Sequence, residues 1–142
     1  MDCRVWGVAQ GRLIEVRVEP EMAFRVLGLP PDRARTTADR VRAAILNCGL
    51  LREAPAVAIR LEPGVDSGAT WYLDVPIALA ALTWAGVIGT GLRWILATGR
   101  LGLDGAVHQP GLSERLTLAG AADRLCHTPL LGFEHMFGNE DG

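Results

Sequence analysis

An α+β domain, its antiparallel or mixed sheet packed with two to three helices, is predicted by three observations. The first is alternation of apolar and polar residues, the two-residue period of a half-buried strand. Ile14, Val16 and Val18 alternate with Leu13, Glu15, Arg17 and Glu19, and Val57, Ile59 and Leu61 repeat the pattern further on. The second is the stretch between them, where Ala34, Ala38, Val41, Ile45 and Cys48 fall on one stripe at helical spacing. The third is the segment from Val75 to Leu82, apolar on every side. A helix without a polar face cannot lie on a surface and must be wrapped by other elements.

That last helix organises the rest. Asp74 stands where an N-cap would, able to accept from orphan backbone N–H groups at the positive end of the helix dipole. Pro76 falls in the first turn, where its missing N–H costs little. Ahead of them, residues 3–9 and 11–18 read as strands joined by a tight turn at Gln10-Gly11, and Glu21–Leu27 reads as a third. Three short strands in succession suggest an antiparallel meander. Gly28-Leu29-Pro30-Pro31 ends the third, and a helix opens at Asp32 or Thr36 and runs to about Cys48, with Gly49 as its C-terminal glycine. Ala56–Leu61 is a strand, and Leu92–Thr98 another. Asp104-Gly105 then marks a hairpin. Ser113 is a fair N-cap for a short helix to about Arg124, and the tail from Thr128 has no periodicity. The expected organisation is one domain over residues 1–127 and a loosely ordered tail over 128–142.

A chain of 142 residues that is 49% hydrophobic can bury its own core without staples. Cys3, Cys48 and Cys126 are odd in number and share no paired spacing, which suits a reducing compartment. With no signal peptide evident at the N-terminus, a cytoplasmic location is expected. Val75–Leu92 is uncharged for long enough to span a membrane. Gly86, Gly89 and Gly91 interrupt it, so a buried helix followed by a turn is the better reading, and no membrane partner is expected. The net charge of −2 excludes a global footprint for nucleic acid. The charge is nevertheless unevenly split, with a mildly basic first half and an acidic second half. All fourteen basic residues are arginine.

Several motifs, taken in order, resemble a known family. Gly28-Leu29-Pro30, then Asp39-Arg40-Val41-Arg42-Ala43-Ala44-Ile45 and Asn47-Cys48-Gly49, is similar to the opening of the N-terminal domain of ComM-type proteins, which are relatives of the magnesium-chelatase ATPase subunit. Leu73-Asp74-Val75-Pro76-Ile77-Ala78-Leu79 and Gly99-Arg100-Leu101-Gly102-Leu103-Asp104-Gly105 resemble two later segments of the same domain. The resemblance implies a Lon-protease-domain-like fold, shared with one domain of a ribosomal protein. In Lon-type domains a serine nucleophile precedes the core helix, and a lysine at the start of a later helix activates it. Matched through Ile77-Ala78-Leu79, the serine position falls on Asp74. Matched through Gly111-Leu112 and Glu114, the lysine position falls on Ser113. A Ser–Lys dyad needs an amine beside the hydroxyl, and a chain without lysine has none. The family's AAA+ module is not expected either, because no G-x-x-x-x-G-K-[ST] is present. Val65–Thr70 also departs from the family's central loop, which has a lysine and an acidic residue beside its glycines.

The resemblance therefore implies a non-catalytic, stand-alone module for interaction or assembly, by analogy a homo-oligomer or the binder of a protein partner. Arg33, Arg35, Arg40 and Arg42 flank the apolar stripe of the first helix. They are read as stems covering the seam, with phosphate contact to nucleic acid as the alternative. Trp84 and Trp94 are expected in the core. Trp71 and Tyr72 are either core or an interface anchor. A cryptic serine hydrolase would use Ser113 with His108 and Asp104, but Ser113 is more simply a cap and Asp104 a turn residue. Ser67, the other serine, is in no nucleophile motif. Cys126, His127 and His135 match no standard zinc spacing, so neither metal nor cofactor is expected.

Overall fold

The computed structural model describes residues 4–66, 70–87 and 94–108. The strand-forming alternation at the N-terminus becomes a hairpin, β1 (Arg4–Ala9) and β2 (Arg12–Pro20), turning at Gln10-Gly11, both with positive φ. Val5 lies opposite Val16 and Gly7 opposite Ile14, so the apolar half of each strand shares one face. β3 (Arg25–Leu27), α1 (Pro31–Asn47) and β4 (Val57–Glu62) follow. A 3₁₀ turn, Trp71–Leu73, leads directly into α2 (Asp74–Trp84), and β5 (Trp94–Leu96) comes next. β6 (Arg100–Leu101) and β7 (Val107–His108) form a separate small hairpin. Its turn is the expected one. Asp104 Oδ1 accepts from the Ala106 N–H, and Gly105 has φ of 92°.

The main sheet has the order β3-β4-β2-β1-β5. The expected meander is not formed. β2 pairs with β4 antiparallel over six residue pairs, and β3 lies on the far side of β4, parallel to it. The reason was present in the element order. A strand, a seventeen-residue helix and a second strand form a crossover unit, and a crossover returns the chain parallel to its starting strand. β5 likewise lies parallel to β1. The sheet is therefore mixed.

Both helices cover the face that carries Val5, Ile14, Val16, Ile59 and Leu61. α1 buries Thr37, Ala38, Val41, Ala44 and Ile45 and starts at Pro31, whose missing N–H suits a first helical position. Cys48, expected on the stripe, is exposed instead at the helix's end. Gly49, with φ of 79°, provides the left-handed exit that only glycine adopts freely. α2 buries eight of its eleven residues, as its uniform apolarity demands. Trp84 is the exception to the expected core set. It is the last residue of α2 and is 52% exposed, whereas Trp94 on β5 is buried.

Close approach of α2 to the sheet requires glycine at β1. A Cβ on Gly7 would meet Pro76 Cγ at 2.8 Å and Leu73 Cδ2 at 2.9 Å. The opposite face of the sheet is polar over β2 and β4. There Arg60 forks onto Glu19 at 2.8 and 3.2 Å, and Arg17 reaches Glu62 at 3.0 Å. These diagonal cross-strand pairs tie β2 to β4, although exposed pairs of this kind contribute little. The expected helix from Ser113 to Arg124 and the tail from Thr128 lie outside the described residues.

Gly28 in the motif after β3 has φ of 102°, and a Cβ there would stand 2.6 Å from the Leu61 carbonyl oxygen. Gly28→Ala is therefore expected to lower stability by about 2–4 kcal/mol, from backbone strain together with overpacking. Gly11 also has positive φ but has nothing within 4 Å of the added Cβ. Gly11→Ala should cost only about 1–2 kcal/mol. Urea unfolding of the two variants measures the difference.

Candidate functional site

α2 begins in a crowded place. The 3₁₀ turn runs into it without leaving helical geometry: Leu73 has φ −82° and ψ −7°, and Asp74 has φ −55° and ψ −48°. An N-cap residue needs non-helical dihedrals to turn its side chain back onto the helix N–H groups. Asp74 therefore cannot act as the cap, contrary to expectation, and no side-chain cap bond is present. The backbone after β5 does that work instead. The Val75 N–H donates to the Gly99 carbonyl at 3.0 Å, and the Gly99 N–H donates to the Tyr72 carbonyl at 2.9 Å. Gly99 can lie this close because it has no side chain, since a Cβ would stand 2.8 Å from Val75 Cγ2.

Freed from capping, the Asp74 carboxylate points into the protein and is fully buried. Arg40 from α1 meets it with a two-pronged contact, Nε to Oδ2 at 2.7 Å and an Nη2–H to Oδ1 at 2.9 Å. The Leu101 N–H of β6 donates to Oδ2 at 3.0 Å. One carboxylate thus joins α1, α2 and β6. The paired fork is the strong form of the guanidinium–carboxylate contact. Burial nevertheless pushes the Asp74 carboxyl above the ordinary carboxylate range, more than the Arg40 fork and the Leu101 N–H pull it back. The same contact holds the Arg40 guanidinium above its already high value.

The arginines of α1 accordingly divide. Arg40 is turned inward and held by Asp74, which takes it out of any phosphate-contacting set. Arg35 reaches Asp32 at 3.6 Å and Arg42 reaches Asp39 at 3.0 Å, both in exposed pairs one turn apart along the helix. Arg33 is exposed. Trp71 is half exposed at the mouth of the 3₁₀ turn, and Tyr72 is partly buried with its carbonyl engaged by Gly99 and by the Thr98 hydroxyl. Ser67, Ser113, Cys126, His127 and His135 lie outside the described residues, so Asp104 and His108 are the described members of the serine triad considered above. Asp104 is occupied by its turn. Among the described residues no group of three or more His, Cys, Asp and Glu could hold a metal ion. No helix among them is long and apolar enough to cross a membrane.

The Asp74–Arg40 contact was missed at the level of sequence, although a signal was available. A single carboxylate in an otherwise apolar buried helix needs a charged or hydrogen-bonding partner, and in a chain without lysine its fourteen arginines are the first candidates.

Arg40→Met leaves a buried carboxylate without its partner and is expected to destabilise the fold by about 3–5 kcal/mol at pH 7. The pH dependence follows from the raised folded-state pKa of Asp74. Above the unfolded value the unfolded chain has already released this proton while the folded chain still holds it. This group's contribution is therefore greatest at low pH and is lost as pH rises through the folded pKa. Removing Arg40 pushes that pKa higher still. The penalty of Arg40→Met should then shrink at pH 4.5 relative to pH 7, as read by urea unfolding at both values. An equal penalty at both would show that Asp74 is not ionised at neutral pH in the native fold.

No curated protein matches the chain. The model of one protein family, described as subunit ChlI of Mg-chelatase, matches residues 14–125. That span runs from β2 through both helices and past the β6–β7 hairpin, and so includes Arg40, Asp74 and Leu101. With most of its length matched, the chain belongs to the family of subunit ChlI of Mg-chelatase.

Proposed function

We propose that this chain is a non-catalytic domain of the Lon-like, ComM N-terminal type that acts as an interaction or assembly module. The observation that carries the reading is the state of Asp74. The resemblance assigns the serine nucleophile to this position, and here a buried carboxylate is locked to Arg40 and to the Leu101 N–H. A nucleophile must be reachable by substrate and must have a base beside it. Asp74 is fully buried, its contacts are a guanidinium and an amide, and the chain contains no lysine. A residue that once stood at a reaction centre would serve here to fasten two helices and a hairpin.

Two features support an interaction role. Trp71 is large and half exposed beside the tightly held start of α2, the kind of rigid aromatic that anchors interfaces. The uneven charge of the two halves of the chain suits head-to-tail assembly of copies. Nucleic-acid contact by Arg33, Arg35 and Arg42 is the weaker reading, because Arg40 is turned inward and the helix presents Asp32 and Asp39 beside them.

The purified protein is expected to show no peptidase or esterase turnover, and Asp74→Ser should create none. Light scattering across a concentration series should show an oligomer, and Trp71→Ala should weaken it by about tenfold or more in Kd if Trp71 is an anchor. A monomer at every concentration would overturn the self-assembly form of the proposal. Turnover that survives purification and is lost on Ser113→Ala would overturn the non-catalytic form.

A further inference from the structure

One flank of α1 carries Asp32, Arg35, Asp39 and Arg42. Their spacing of three, four and three residues keeps all four within about a quarter-turn of the helix surface. Asp32, Arg35 and Asp39 are exposed and Arg42 is partly so. Beside them a groove of about 420 Å³ opens between α1 and β3, bordered on the helix by Ala34 and Ala38. Within the chain the charges pair along the helix, Asp32 with Arg35 at 3.6 Å and Asp39 with Arg42 at 3.0 Å. The stripe is therefore neutral and calls for neither an acidic nor a basic ligand. What it has is an order. Followed from either end the spacing is the same, and the signs are reversed. A two-fold axis level with Thr37 sets Asp32 of one copy opposite Arg42 of the other, and Arg35 opposite Asp39. We propose that this flank of α1 is a two-fold contact between copies of the chain, with the two α1 helices antiparallel. This inference rests on the self-assembly reading and names a surface for it. A two-fold contact is separate from a head-to-tail one, and one assembly can use both.

A two-fold contact requires a surface that complements itself, each residue meeting the one that meets it in return. A stripe of one sign fails that requirement, and so does one whose signs read alike from both ends. The stripe on α1 meets it in one register only. Sliding either helix by one turn brings Arg35 against Arg35 and Asp32 against Asp39, or Asp39 against Asp39 and Arg35 against Arg42. A parallel arrangement puts every charge beside its like. Both alternatives are penalised by repulsion, so the charges specify direction and register more than they add affinity. The existing pairs need not break, because a carboxylate accepts from two guanidinium groups at once. Isolated pairs in water contribute little, and pairs joined into a network between two helices contribute more. The short side chains of Ala34 and Ala38 let a second helix come as near as about 8 Å. The arginine stems of each copy then lie over the groove beside the other's helix.

The test uses the full chain and two double variants. Arg35→Glu with Arg42→Glu makes the stripe wholly acidic, and Asp32→Arg with Asp39→Arg makes it wholly basic. By light scattering across a concentration series, each double variant alone should associate at least about tenfold more weakly in Kd than the unaltered chain. An equimolar mixture of the two should recover the association. Native mass spectrometry of the mixture, with one component isotopically labelled, should find acidic and basic copies paired with each other and not with themselves. Urea unfolding checks that each variant keeps its fold. Should a double variant lose it, Arg42→Glu alone and Asp32→Arg alone make the same cross, each repelling its own copy and each complementing the other. An oligomer that neither variant weakens, or a mixture no tighter than its components, would overturn this inference and leave assembly through Trp71 standing. Association lost in the charge variants but unchanged in Trp71→Ala would keep the α1 contact and remove the Trp71 anchor. A monomer of the unaltered chain at every concentration would overturn both.

Discussion

A carboxylate withdrawn from water must be paired, and the Asp74–Arg40 contact is where this fold meets that requirement. Asp74 sits at the first position of a helix with no polar face, packed against a sheet and a second helix. Its charge is satisfied only if α1 delivers Arg40 at one angle and β6 delivers the Leu101 N–H at another. Three elements distant in the chain are thereby held in a single arrangement. Apolar packing alone would tolerate small slides of α1 over α2, but a two-pronged guanidinium contact would not. Such a contact adds little net stability over an apolar replacement while sharply penalising loss of one partner. Its value here is in specifying one geometry.

The backbone around that contact follows from it. Because the 3₁₀ turn is already helical, the start of α2 needs an external acceptor, and the Gly99 carbonyl supplies it. Gly99 and Gly7 each remove a side chain where α2 comes closest to its neighbours. The stretch from Thr98 to Leu101 thus caps the helix, engages the Tyr72 carbonyl and completes the ring of donors around Asp74.

The chain belongs to the family of subunit ChlI of Mg-chelatase, and three of its local features stand out. They are a buried carboxylate held by Arg40 at the start of α2, a half-exposed tryptophan beside it, and a sheet edge at β3 that is unpaired among the described residues. A fold carries its function in such sites and not in its architecture.

Much was legible in the residues themselves. Alternation marked β2 and β4, helical spacing marked α1, uniform apolarity marked α2 as buried, and Asp104-Gly105 marked the hairpin, because each of these is a local consequence of side-chain period or turn chemistry. The resemblance, too, rested on motifs readable in order along the chain. What depended on neighbours was misread or missed. Strand pairing followed the crossover through α1 and not adjacency in sequence, which put β4 between β2 and β3. Trp84 resembled a core residue until the end of α2 carried it past the sheet. Asp74 resembled a cap because capping is judged from one residue and its successors, while its real partners lie 34 positions earlier on α1 and 27 later on β6. The sequence by itself determined which segments are strands and helices and which faces must be dry. Only the tertiary structure decided where the buried charge finds its counter-charge and in what order the described strands pair, because both are set by elements meeting across the core.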